Sequence, residues 1–211
     1  MSVRTLLKRG FAEAPSIFGL SARQIEIGAY EALWLEDGAT FKTLSERVAA
    51  SPGGMPSELV ELERAKTCAN DVAARFGKAG LSDVETHLLG ETGYPAKLCD
   101  ARYPLRAFYY RGDWSLIDTP TVAVVGARQL SEKGIARTQR LVRHLVEDGF
   151  TIVSGLAAGT DRVAHTTALE MGGRTIAVLG TPIHKTYPRE NADLQKEIAE
   201  RFLVISQVPV L

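Results

Sequence analysis

Cysteine is scarce in this chain: of 211 residues only Cys68 and Cys99 are cysteine. Two thiols without metal-ligand spacing exclude a disulfide framework and a cysteine-rich zinc module, and they suit a reducing compartment. Charge of one sign is also missing, since 25 Lys and Arg are balanced by 25 Asp and Glu. That balance excludes a protein that coats duplex DNA through bulk positive charge, so any nucleic-acid site must be local. Long apolar runs are absent too. The opening MSVRTLLKRGFAEAP has no apolar core of signal-peptide length, and nothing later approaches the roughly 18 residues of a membrane span. The expectation is a cytoplasmic protein with no membrane partner.

What is present divides into three parts. Residues 1–90 lack strand alternation, are rich in Ala, Leu, Glu and Arg, and read as a helical N-terminal domain. Within it, Pro56-Ser57 and an acidic first turn signal a helix start. Leu59, Leu62, Ala65, Ala69, Val72 and Phe76 recur at helical spacing, and Gly77 or Gly80 supplies a stop. Residues 91–120 are a bridge with clustered aromatics and one strand candidate at 105–110, suited to a sheet edge. From Thr121 strand and helix patterns alternate. Strands are expected at 121–126, 150–154, 174–180 and 203–206, with helices at 131–148, 161–171 and 189–201. The expected fold class is α/β, with a doubly wound parallel sheet over 121–211 preceded by the small helical N-terminal domain.

In open parallel sheets ligands bind outside the carboxyl ends of the strands. The loops there are Gly126-Ala127-Arg128, the run SGLAAGTDRVAH from Ser154, the run GTPIHKTYPREN from Gly180, and Ser206-Gln207. Gly155 and Gly159 permit tight turns and close backbone approach, and Thr160-Asp161 opens a helix whose amides can face an anion. Neither GxGxxG nor the Walker GxxxxGK[ST] is matched, and Ser154 stands where a ribose-binding acid would be, so NAD binding and ATP hydrolysis are disfavoured. Tight turning alone explains the glycines equally well. Asp161 and His165, four apart, share a helix face and could pair, although a capping Asp161 and a packed His165 form the simpler reading. His87, His144 and His184 are isolated and read as surface or packing residues. No nucleophile with an oriented base and no metal cluster is evident.

Arg128 at the tip of the first strand and Arg189 at the start of the fourth helix both face the same crevice in this topology, with Lys185 nearby. Guanidinium forks suit phosphate oxygens, and glycine turns let backbone amides approach them. The sheet half carries 11 basic and 9 acidic residues, so such a grip would be local rather than a long-range field. The expected ligand carries more than one phosphate. Its contacts are expected at Gly126, Ala127, Arg128, Ser154, Gly155, Gly159, Thr160, Asp161, Gly180, Thr181, Lys185, Arg189 and Asn191.

The segments VVGAR, IVSGLAAGTDRVAH, TIAVLGTPIHKTYPREN and VISQVP, in this order, closely resemble the DNA-processing protein A family, DprA or Smf. The stretch YPAKLCDARYPLRAFYYRGD resembles the family's lead-in to the sheet, whereas residues 1–90 show only a generic similarity. The resemblance implies a Rossmann-like domain that binds and shields single-stranded DNA and helps load a RecA-type recombinase, as in natural transformation, without catalysis or a cofactor. It also implies that Arg128 matches the arginine of a G-S/T-R motif, that Arg189 matches the basic residue after Tyr187-Pro188, and that both contact phosphate. Gly155 and Gly159 would form the pocket floor.

Departures from the pattern are Ala127 for Ser or Thr, Pro182 for glycine and Gln207 for glutamate. An arginine- and asparagine-containing segment and closing helices are expected of the family after Leu211. A sheet edge left open after residue 206 favours self-association, and a homodimer is expected. The rival class is a nucleotide sensor or a nucleoside-monophosphate phosphoribohydrolase of related architecture. Its PGGxGTxxE signature is echoed only in PGGMPSELVE at 52–61, which lies in the helical half and follows no strand.

Overall fold

The computed structural model describes residues 19–211. The leader-free reading of MSVRTLLKRGFAEAP and the first part of the helical domain lie outside the described residues. The chain divides into two compact units, one of residues up to Tyr109 together with Pro209–Leu211, the other Tyr110–Val208.

In the first unit, helices α1 (Ala22–Trp34), α2 (Phe41–Ala50) and α3 (Leu62–Lys78) precede strand β1 (Glu85–Leu88), the short helix α4 (Ala96–Cys99) and the start of strand β2 (Ala107–Gly112). Helix α1 begins at a capping box: the Gln24 amide donates to Ser21 Oγ at 3.2 Å, and the Ser21 amide to Gln24 Oε1 at 2.8 Å. The long helix expected from Pro56 is divided. Pro56–Leu59 form a 3-10 turn, Val60 is extended, and α3 starts at Leu62. Side-chain acceptors explain the break, since Glu58 takes the Gly53 amide at 2.8 Å and Glu26 takes the Ser57 amide at 3.0 Å. Strand β1 is a four-residue element inside the half that reads as helical. Its burial alternates, but a period of two over four residues is too short to register against a helical background.

Fully buried Glu31 on α1 accepts the Tyr109 hydroxyl and the amides of Val210 and Leu211, each amide at 2.9 Å. Burial pushes its carboxyl above the usual range, and those hydrogen bonds pull against the rise.

The second unit is a Rossmann-like α/β arrangement. Its strands are β3 (Thr121–Ala123), β4 (Thr151–Ser154), β5 (Thr175–Leu179) and β6 (Leu203–Ser206), and its helices are α5 (Glu132–Glu147), α6 (Thr160–Glu170) and α7 (Ala192–Arg201). Strands β3 to β6 lie in chain order and pair in parallel, with Val122 opposite Ile152, Ser154 opposite Ala177 and Leu179 opposite Ser206. Sequential parallel strands joined by right-handed crossovers put every connecting helix on one face. On that face Val124, Ile152, Val142, Ala164 and Ala168 form one apolar cluster, and Leu156, Ala177, Leu179, Ile198 and Val204 another. On the other, Ile176 and Leu203 pack with Leu116, Trp114 and Tyr110.

The sheet order is β1-β2-β6-β5-β4-β3, so β6 is an inner strand and the open edge expected after residue 206 is not there. Two ends also differ from the sequence reading, and each has a local cause. Strand β3 stops at Ala123 rather than continuing to 126: after the Val124 amide bonds Val153 O, the chain peels away toward the next loop, leaving Val125 76% exposed. Helix α7 begins at 192 behind a 3-10 turn at Arg189–Asn191, because the Asn191 side chain is drawn across to the loop after β4.

Candidate nucleic-acid interface

The loops that follow β3, β4 and β5 are tied into one rim. Thr160, the first residue of α6, donates its backbone amide to Ala127 O at 3.0 Å and its hydroxyl to the same oxygen at 3.2 Å. The fit between these two loops requires small residues. A Cβ on Gly159, whose φ is +74°, would lie 2.3 Å from Ala127 O and 2.6 Å from Arg128 O. A Cβ on Gly126 would meet Thr160 Oγ1 at 2.5 Å. The backbone of Arg128 therefore rests directly on the Gly159 turn.

On its other side the same turn is held by α6 and by the segment before α7. Asp161 Oδ2 accepts the amides of Gly155 and Ala157 at 3.1 and 3.2 Å. Asn191, fully buried, donates Nδ2 to Leu156 O at 2.8 Å and to Ala157 O at 3.3 Å. Its Oδ1 takes a hydrogen bond from Arg162 Nη1 at 2.7 Å, and that guanidinium also donates to Glu190 O at 2.8 Å. Leu156, buried in the core beneath, has φ +59°, a left-handed conformation that a branched aliphatic residue occupies only when its surroundings over-determine it.

The expected site residues thus separate into two groups. Gly126, Ala127, Arg128, Gly155, Gly159 and Thr160 are brought together where the first two loops meet. Lys185 and Arg189 lie across the turn on the third loop, joined to it through Arg162 and Asn191. Arg128, Lys185 and Arg189 are exposed, and none of their side chains makes a hydrogen bond or ion pair with a described residue.

The polar side-chain atoms of the remaining expected residues are turned inward. Ser154 donates Oγ to Val124 O at 2.7 Å, Asp161 braces the loop amides, and Asn191 clamps Leu156. Gly180 is exposed at the end of β5, and Thr181 spends its carbonyl on the Ser206 hydroxyl at 2.7 Å. Arg162 and Leu156 belong to this framework without having been singled out in the sequence. Nothing local marks a left-handed leucine, whereas the run TDR at a helix start was a signal for the arginine.

Asp161 and His165 do not bond each other. His165 is fully buried, with Nδ1 2.6 Å from Thr175 Oγ1. The same hydroxyl lies 3.0 Å from Ile152 O, to which it can donate. Nε2 is buried without a hydrogen-bond partner, and burial pushes the imidazole down to about 4. A neutral packed histidine is the result, remote in character from a general base. Among the described residues no group of three or more His, Cys, Asp or Glu is placed to hold a metal ion, and no helix is long and apolar enough to cross a membrane.

Comparison with known proteins matches this unit together with the chain that leads into it. The profile of the DNA recombination-mediator protein A family fits residues 85–210. Protein Smf of Synechocystis is 41% identical over 56% of this chain and 30% of its own length. The DNA processing protein DprA of Streptococcus pneumoniae is 40% identical over 54% of this chain and 40% of its own. The chain spans well under two thirds of either relative. The X-ray structure of the S. pneumoniae protein superposes with a TM-score of 0.58 at 28% identity, covering 91% of this chain and 64% of that one. A Helicobacter pylori DNA processing protein A structure, described for its single-stranded DNA binding mode, gives 0.52 at 31% identity over 59% of this chain and 55% of that one. With the family profile matched across more than half its length, the chain belongs to the DNA recombination-mediator protein A family.

Proposed function

We propose that this protein binds single-stranded DNA at the rim built by the loops after β3, β4 and β5, and acts by holding the strand rather than by catalysis. The observation that carries the reading is the pair of exposed guanidinium groups, Arg128 and Arg189, neither paired with a described residue, on the two sides of a turn fixed by Asp161 and Asn191. Arginine forks and preorganised turns suit successive phosphates, and a flexible single strand can follow a crevice that a duplex cannot enter. The H. pylori relative's described single-strand binding supports the same class of ligand. On this reading the chain works in the cytoplasm in DNA processing, shielding single strands and assisting a RecA-type recombinase, as a homodimer.

Fluorescence anisotropy tests the ligand class. Labelled single strands, the matching duplex and a panel of mononucleotides are titrated across a salt series. The proposal expects affinity to rise with strand length, to fall as salt rises, and to be lower for duplex. Preference for a mononucleotide with indifference to oligomers would instead identify a nucleotide sensor or phosphoribohydrolase.

A further inference from the structure

Helix α5 leaves the rim three residues after Arg128, with Ser131 as its N-cap. Only Val142 is fully buried on it, together with half-buried Leu145 and Val146, which fixes the inward face. Directly opposite, Lys133, Arg137, Arg140 and His144 follow one another at steps of four, three and four residues, and all are exposed. From Lys133 to Val146 the helix has no acidic residue; its two acids, Glu132 and Glu147, stand at the ends, and Glu147 is 3.3 Å from His144. Lys133, Arg137 and Arg140 make no hydrogen bond or ion pair with a described residue. Their steps of about 6 and 4.5 Å along the axis give a straight cationic row. A chain with no net charge has thus concentrated cations, none paired with a described residue, on one helix that starts at the rim.

We propose that this row is a second phosphate track, along which a single strand held at the rim continues over the outer face of α5. The inference rests on the rim being the single-strand site, and it adds a route out of that site. An acidic protein surface could also be attracted to such a row. Continuity with Arg128, which shares the loop that feeds the helix, favours the strand.

The test uses the full chain and oligothymidylates that run from a length filling only the rim to several times that length. Three variants are compared with the wild type: Lys133→Gln/Arg137→Gln/Arg140→Gln, Arg128→Ala/Arg189→Ala, and Arg143→Gln, which lies on the same helix about a quarter-turn off the row. The row variant is expected to bind the short oligomer like wild type and to lose about tenfold on the long one. Its salt slope on the long strand should be shallower by about 2, the share of three phosphate contacts on a single strand. Arg143→Gln should change neither. Wild-type behaviour of the row variant at every length, equal losses on short and long strands, or a loss in Arg143→Gln matching that of a row residue would each overturn the track. Failure of the wild type to bind any oligomer would sink the rim reading itself.

Discussion

Asn191 Nδ2 donates to Leu156 O across 2.8 Å, so a buried amide from the start of α7 holds a left-handed leucine in the loop after β4. The bond joins two of the three loops of the rim, and its partner Oδ1 engages Arg162. Asn191→Ala leaves the carbonyls of Leu156 and Ala157 without their donor and the Arg162 guanidinium with Glu190 O alone, which should cost about 2 kcal/mol of stability. Asn191→Asp keeps the acceptor for Arg162 but turns a carboxylate toward the carbonyls of Leu156 and Ala157, and should be no better than alanine. Urea unfolding of both variants checks this, with unchanged midpoints as the contrary result.

Gly159 and Gly172 both have positive φ, yet they should respond differently to alanine. At Gly172 a Cβ meets nothing within 4 Å, so only the left-handed backbone is penalised, by about 1 kcal/mol. At Gly159 the same atom would collide with Ala127 and Arg128, adding a steric conflict that brings the loss to about 2 kcal/mol or more. Thermal melts of the two variants read the difference. Gly159→Ala should also weaken oligonucleotide binding, because the Arg128 loop must move to accommodate it.

His165 makes stability depend on acid. Its imidazole protonates near 6.5 when unfolded and at about 4 in the fold, so between those values the unfolded chain takes up a proton that the native state refuses. The contribution is complete above the upper value and is lost as pH falls toward the lower one, reaching about 3 kcal/mol. An NMR titration should show this ring still neutral at about pH 5, when an exposed imidazole is already charged. A midpoint near the ordinary histidine value would contradict the burial argument.

Much of this architecture was legible because the second unit obeys strong local rules. The alternation of strand and helix patterns from Thr121 onward is visible without coordinates, and β6 lies at 203–206 as read. Less legible were features decided by side chains from distant segments. The shortening of β3 depends on Thr160 capturing Ala127 O, and the late start of α7 on Asn191 reaching Leu156. The candidate site shows the same division. Glycines 126 and 159 and the two arginines announce themselves by type and position. That Ser154, Asp161 and Asn191 turn their polar atoms inward follows only from where their acceptors and donors lie in space.

The most direct test of the account removes the two guanidinium groups that define it. Binding of a labelled single-stranded oligomer is measured by anisotropy for wild type, Arg128→Ala, Arg189→Ala and the double variant, with a thermal melt of each. Every arginine removed should weaken binding by roughly tenfold, the loss of one or two charge-assisted hydrogen bonds. Both side chains are exposed and unpaired among the described residues, so the melting temperature should stay with wild type. A folded double variant that binds the strand as tightly as wild type would contradict the account.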